Sequence, residues 1–311
     1  MGSHVCRALS LAGYYPVTFD NLSTGHDWAV KCGPLVIGDI QDGAALNRAL
    51  IEFKPLAVIH LAASAYIGES MANPAKYWEN NVSGSLSLFQ AVLAYGKIPV
   101  VFSSTCAVYG IPEIQPITED CVPSPVNPYG RSKLVVEQIL RDFDMAYGFP
   151  HVCLRYFNAA GASEDGSIGE SHDPEPHLIP NAINAALGGD ILTVFGNDYP
   201  TRDGTAVRDY VHVQDLAQAH LLALAHLLEG GASETFNLGN GAGYSVLEVI
   251  KAVEQASRLV VPVKFDVRRA GDPPSLIGSS AKIERILGWK ALHGLDDIVR
   301  HALHWHESLV E

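Results

Sequence analysis

Val100-Val-Phe-Ser-Ser-Thr105 is a short apolar, β-rich run that stops on three hydroxyl residues and is followed by Cys106-Ala-Val-Tyr-Gly110. A run this brief, bounded by small polar residues, reads as a strand buried on both faces. Runs of the same kind flank it: Val17–Asp20, Leu35–Asp39 and Ala57–Ala63 before, His151–Phe157 after. Between them lie amphipathic helical patterns at Ser3–Ala12, Gly43–Phe53, Pro74–Ala94 and Pro128–Tyr147. Alternation of strands and helices predicts a parallel sheet. Right-handed crossovers then place helices on both faces, in a doubly wound, Rossmann-like α/β arrangement.

The second half is less regular. A Gly- and acid-rich loop spans Gly161–Glu175 and a turn-rich segment spans Gly196–Thr205. Helices are expected near Pro180–Leu187, Val213–Leu228, Ser245–Ser257, Ser279–Leu287 and Leu295–His306, with a strand at Glu234–Leu238. No internal repeat or low-complexity linker separates the halves. The expected division is a first domain over residues 1–155 and a smaller α/β lobe over 156–311, with some segments returning to the first.

Composition narrows the function. The 311 residues are 48% hydrophobic and 18% charged, with a net charge of −13, which disfavours a nucleic-acid surface. Any anionic ligand must be met by a few local arginines and backbone donors. No run of 18 apolar residues suggests a membrane span, and the start of the chain has no secretory pattern. Cys6, Cys32, Cys106, Cys121 and Cys153 are scattered and form no Cys-x-x-Cys pair. Reduced thiols in a cytoplasmic protein are the expectation.

The chemistry-bearing signal is Tyr129-Gly-Arg-Ser-Lys133 at the start of a helix. Side chains four apart share a helix face, so phenol and ammonium point the same way. A phenol with a pKa of about 10 is a poor base at neutral pH, and lowering it by ~3 units takes about 4 kcal/mol. One cation at about 4 Å supplies only about 1 kcal/mol in water and more in a partly desolvated cleft. Lys133 alone is marginal for that task. With 12 tyrosines in the chain, such a pair by itself is weak evidence. Its context adds to it, because ligands of open α/β sheets bind at strand carboxyl ends, where Thr105 falls. Val17-Thr-Phe-Asp20 places an acid at the end of the second strand of such a sheet, a position from which a carboxylate accepts from an adenosine ribose; Asp39-Ile40 follows the third strand. Taken singly, hydroxyl clusters and Asp-Asn pairs are more often turns.

An ordered series of motifs runs nearly the whole chain: Gly2-Ser-His-Val5, Phe19-Asp-Asn-Leu-Ser-Thr-Gly-His26, Gly38-Asp-Ile40, Gly68-Glu-Ser70, Asn80-Asn-Val82 and Asn127-Pro-Tyr-Gly-Arg-Ser-Lys133. Leu154-Arg-Tyr-Phe-Asn-Ala-Ala-Gly161, Phe195-Gly-Asn-Asp-Tyr-Pro-Thr201, Val207-Arg-Asp-Tyr-Val-His212 and Arg268-Arg-Ala-Gly-Asp272 continue it. In this set the sequence resembles the UDP-glucose 4-epimerases of the extended short-chain dehydrogenase/reductase superfamily. The resemblance implies an NAD-dependent isomerase that interconverts UDP-glucose and UDP-galactose through transient oxidation at sugar carbon 4. It casts Tyr129 as the base, Lys133 as its partner and nicotinamide-ribose contact, and Thr105 as a hydrogen-bond partner of the sugar oxygen. It also implies cofactor contacts at Gly2, Asp20, Asn21, Asp39, Ile40, Asn81, Ser103 and Phe157. UDP-sugar contacts would fall at Asn158, Leu178, Phe195, Arg208, Arg269 and Asp272. Arginines suit a diphosphate, since guanidinium forks match phosphate oxygens. A homodimer through helices at Pro74–Ala94 and Pro128–Tyr147 is implied as well.

Departures from the family pattern are specific. The family opens with a strand and a Gly-x-x-Gly-x-x-Gly turn, of which only Gly2 finds a match; a chain truncated at its N-terminus and missing its first strand is the expectation. That strand would be central, so its loss would leave a gap with two unpaired edges and remove backbone donors for a pyrophosphate. Ala65 stands where many relatives carry lysine, and Leu276 occupies a position linked to acceptance of N-acetylated sugars. Two other readings remain. A nucleotide-sugar dehydratase or decarboxylase could use the same fold, although Cys106 and Ala107 supply no acid for elimination. A non-catalytic truncated remnant is the other. No metal is expected: His301, His304 and His306 read as a polar helix face.

Overall fold

The computed structural model describes residues 1–269 and 271–309. Its centre is a four-stranded parallel sheet of β3 (Val58–His60), β4 (Val100–Thr105), β5 (His151–Tyr156) and β10 (Glu234–Leu238), in the order β10-β5-β4-β3. Every residue of β4 is buried, which is why that strand reads as an uninterrupted apolar run. Its side chains alternate between two cores. Val101 points with Val152 and Leu154 into a cluster with Leu216, Phe236 and Trp289. Val100 and Phe102 point with Cys153 into one with Phe89, Val92 and Leu140. Each such side chain contributes about 1.5–3 kcal/mol by leaving water.

Helices cover both faces, the doubly wound expectation. α2 (Gly43–Phe53), α5 (Gly84–Tyr95) and α6 (Pro128–Tyr147) supply one core, while α8 (Val213–Leu228) and α1 (Gly2–Leu11) lie over the other face. β10 pairs in register with β5 along its whole length, so the second half of the chain returns to the first sheet.

β1 (Thr18–Asp20) and β2 (Leu35–Ile37) form a separate parallel pair that shares no hydrogen bonds with β3. The sheet is therefore interrupted between β1 and β3, and two strand edges border the break. Expected strand boundaries shorten here, to three residues in β1, β2 and β3. The expected helix over Pro74–Ala94 has internal detail: α4 (Pro74–Tyr77) runs through a π-helical turn at Trp78–Ser83 into α5. The wider turn brings Asn81 inward, where its amide oxygen accepts from the Ser64 N–H at 2.8 Å and its NH2 donates to Ser132 Oγ at 3.0 Å.

The remaining lobe packs α7 (Leu178–Ala186), α9 (Val246–Ser257) and α11 (Leu295–Ser308) around Ile183, Val253 and Ile298. Small sheets join it to the first: β6 (Asn158–Ala160) with β9 (Tyr210–His212), β7 (Leu192–Phe195) with β12 (Val263–Asp266), and β8 (Val207–Arg208) between β11 (Tyr244–Ser245) and β13 (Ser275–Leu276). No helix among the described residues is long and apolar enough to cross a membrane.

Candidate active site

The end of β4 and the start of α6 meet at one point. Asn127 caps α6, its side chain accepting from the Gly130 N–H at 2.8 Å, and Pro128 fills the first helical position. Gly130 permits the approach: a Cβ there would lie 2.5 Å from the Ala107 carbonyl oxygen. With α6 seated against the turn at Cys106–Tyr109, Tyr129 comes beside Thr105, its ring edge-on to Tyr77 at 6.3 Å.

Burial dominates the electrostatics. It pushes the Tyr129 phenol above its usual pKa, with Tyr156 adding to the rise and Thr105 opposing it. The Lys133 ammonium is driven down to about 7 by burial, against the supporting charge of Glu137. Lys133 Nζ donates to the Ser103 carbonyl at 2.8 Å and sits 4.8 Å from the centre of the Phe102 ring. Lys133 alone, marginal for depressing the phenol on the sequence argument, does not do so here: desolvation of both groups outweighs their pairing. Among the described residues, Ser103 accepts one of the three Lys133 N–H groups, so two remain for a ligand.

Thr105, Tyr129 and Lys133 line a cleft of about 2420 Å³. Its size exceeds the several hundred cubic ångströms of an ordinary ligand pocket. The excess lies in the break between β1 and β3, lined by Val17, Phe19, Val58 and Ile59.

Gly2, at the first turn of α1, faces this cleft with Asp20, Asn21, Ile40 and Phe157. Asp20 Oδ1 accepts from the Leu22 N–H at 2.8 Å, and Asn21 Nδ2 donates to Asp39 Oδ2 at 2.8 Å. Asp39, Asn81 and Ser103 do not border the cleft. Asp39 braces Asn21, Asn81 latches Ser64, and Ser103 holds Lys133 through its carbonyl while its hydroxyl bonds Tyr156 at 2.8 Å.

The other wall carries Asn158, Leu178, Phe195, Arg208, Arg269 and Asp272. Asn158 Nδ2 donates to the Asp209 carbonyl at 2.9 Å. Arg208 is held by an ion pair with Asp272 and donates to the Val207 carbonyl at 2.7 Å. The Arg269 guanidinium stacks 4.0 Å above the Phe195 ring, an arrangement that holds it flat without using its donors. Leu276, in β13, closes the same wall.

The three C-terminal histidines do not converge. His301 Nδ1 meets His212 at 2.9 Å, His304 Nδ1 meets the Glu164 carbonyl at 3.1 Å, and His306 bonds the Ala302 carbonyl at 2.8 Å. A different set does: Glu170, His172, Glu175 and His177, on the cleft rim before α7. The sequence reading passed over it, although Glu-x-His-x-x-Glu-x-His was the available signal.

The geometry has the layout of a dinucleotide-dependent enzyme of the extended short-chain class: a Tyr–Lys helix docked at a strand end over a two-lobed cleft. Comparison with known proteins agrees. Residues 1–239 match the NAD dependent epimerase/dehydratase family. A UDP-glucose 4-epimerase from Rhizobium meliloti is 48% identical over 307 residues, covering 98% of this chain and 94% of that protein. A UDP-glucose 4-epimerase from Brucella ovis, solved in complex with NAD, superposes with a TM-score of 0.96 at 50% identity, covering 98% of this chain and 94% of that one. The Bifidobacterium longum enzyme, solved with NAD+ and UDP, gives 0.94 at 38% identity, covering 98% and 95%. The chain belongs to the NAD dependent epimerase/dehydratase family, among the UDP-glucose 4-epimerases.

Proposed function

We propose that this protein interconverts UDP-glucose and UDP-galactose by inverting sugar carbon 4. The observation that carries the reading is the meeting of Tyr129 and Thr105 at the end of β4, above a cleft whose far wall presents Arg208 and Arg269. The residues present fit NAD at two places. Asp20, at the end of β1, offers a carboxylate to a ribose diol, and the buried Lys133 has two donors free for the nicotinamide ribose. The first turn of α1, Gly2 to Val5, lines the same cleft, and its N-terminus carries no side-chain cap.

NAD, when bound, would supply a cationic nicotinamide as hydride acceptor and donor for sugar carbon 4. The protein's own part is acid–base and positional. Thr105 holds the sugar 4-oxygen by a hydrogen bond, and Tyr129 removes the 4-hydroxyl proton. A positive charge beside the phenol favours its ionised form, which offsets the burial that raises its pKa. Arg208 and Arg269 hold the diphosphate while the 4-keto sugar turns over, and Tyr129 then gives the proton back on the opposite face. Dehydration needs a carboxylic acid next to the strand-end hydroxyl, where Cys106 and Ala107 stand instead.

The test is conversion of UDP-galactose to UDP-glucose by the purified chain with NAD supplied. A folded sample with no turnover sinks the reading. Arg269→Ala is expected to raise KM about ten- to a hundredfold, the loss of a charge-assisted hydrogen bond worth about 1.5–3 kcal/mol, with kcat nearly unchanged. A KM within about threefold of the parent would remove Arg269 from the diphosphate site.

A homodimer is part of the same proposal, with α5 and α6 as its interface by likeness to the family. Sedimentation velocity at micromolar concentration is expected to give twice the chain mass, and a monomer would exclude the assembly. Cytoplasmic residence is proposed from the five unpaired cysteines. Loss of activity on moving the protein to an oxidising compartment, restored by reductant, would support it; indifference to oxidation would remove its basis.

A further inference from the structure

Eight residues just before α7, Glu170-Ser-His-Asp-Pro-Glu-Pro-His177, fold two carboxylates and two imidazoles toward a common point. One ligand atom from each lies within 4.8 Å of all the others. His172 Nδ1 stands 3.1 Å from Glu170 Oε1 and 3.3 Å from Glu175 Oε2. His177 Nδ1 stands 3.5 Å from Glu175 Oε1 and contacts Glu170 Oε1. In a zinc tetrahedron with bonds of about 2.0–2.2 Å, neighbouring ligand atoms are separated by about 3.3–3.6 Å. With Glu175 Oε2 as the ligand atom, the two His172 edges, to Glu170 and to Glu175, fall within about 0.2 Å of that range, while His177 and Glu170 share a hydrogen bond and must part to admit the ion.

We infer that Glu170, His172, Glu175 and His177 form a four-coordinate site for one divalent transition cation, with zinc the best match. Charge favours it. Two partly buried carboxylates need two positive charges beside them. One dication at the centre of the four side chains would meet both carboxylates at once. The imidazoles exclude magnesium and calcium, which prefer all-oxygen sites, and the absence of sulfur ligands separates the site from those of thiolate type.

The role is structural. Four protein ligands leave no open position for a reacting water. The ion would tie the loop at residues 161–177 to the start of α7, where Leu178 lines the cleft. Supports are in place: Trp305 Nε1 donates to the Glu170 carbonyl at 2.7 Å, and Asn181 Nδ2 to the Glu175 carbonyl at 2.9 Å. His177 is the exposed member and gives the ion a route in. This site is independent of the proposed reaction and stands whether or not the chain is an epimerase.

The test is equilibrium dialysis of chelator-stripped protein against zinc chloride, with metal counted by mass spectrometry. One equivalent per chain and a higher melting temperature with zinc are expected. His172→Asn and His177→Asn should each weaken uptake at least about tenfold, and the double variant should abolish it. Glu175→Gln, which keeps the side-chain shape, is expected to do the same and covers the case in which a histidine variant fails to fold. Cobalt in place of zinc should give a tetrahedral visible spectrum without a sulfur charge-transfer band. Less than stoichiometric uptake overturns the inference. So does uptake unchanged in Glu175→Gln or in the folded double variant, since the zinc would then sit elsewhere.

Discussion

Tyr129→Phe is expected to lower kcat for UDP-galactose by about 10²–10⁴, the usual contribution of a positioned acid–base group, while KM changes little. The substitution removes one oxygen and leaves the ring, so the edge-on contact with Tyr77 and the capped start of α6 persist. Thermal melting within a degree or two of the parent is the control. The effect should be large because no substitute base is in place. Thr105 keeps its proton at neutral pH, and burial drives the nearby Cys106 thiol up to about 12. Lys133 is four residues away on the same helix face, yet its ammonium is turned to the Ser103 carbonyl. A variant retaining more than about a tenth of the parent kcat would show that another group moves the proton. The family membership would survive that result; the mechanism would not.

The strand at Val100–Thr105 and the helices at Gly43–Phe53, Pro128–Tyr147 and Val213–Leu228 have the boundaries their sequences suggest. Each carries its signal within itself: an apolar run stopped by hydroxyls, an Asp42 or Asn127 cap, a periodic apolar stripe. Beyond β10, read correctly at Glu234–Leu238, the strands of the second half were not legible. β8, β11 and β13 are two residues each, and β12 is exposed throughout. Strands so short acquire their conformation from partners far off in sequence, as β13 does from β8, and local pattern has no access to that. The candidate site divides the same way. Tyr129 and Lys133 are four apart on one helix, so their spacing was readable. Arg208 and Asp272 are far apart in sequence, and their contact depends on the pairing of β8 with β13. Lys133 shows a further limit: its neighbourhood with Tyr129 was predictable, but the burial that sets both pKa values belongs to the packed structure.

Glu137→Ala should be the most destabilising single change beneath the site, at about 3–5 kcal/mol. Glu137 and Arg155 are 1% and 5% exposed and form a two-pronged pair, Nε to Oε1 at 2.8 Å and a second guanidinium nitrogen to Oε2 at 2.5 Å. Ser104 Oγ donates to the same carboxylate at 2.5 Å. Arg155 also donates to the Tyr109 hydroxyl at 2.8 Å, which donates to Asn237 Oδ1 at 2.7 Å. One polar network thus crosses from α6 through β4 and β5 to β10 and fixes the helix that carries Tyr129. Removing the carboxylate leaves a buried guanidinium without its counter-charge, which accounts for the size of the loss. Lys133 loses the negative charge that supports its ammonium, so its pKa drops further below about 7 and activity in the folded fraction should fall further around neutral pH. A double replacement, Glu137→Leu with Arg155→Leu, removes both charges and should recover much of the stability. Urea denaturation of the parent and the two variants separates the alternatives. If the single variant loses less than about 1 kcal/mol, the pair is not a keystone of the fold. If the double variant is no better than the single, the cost comes from lost packing and hydrogen bonds and not from an orphaned charge.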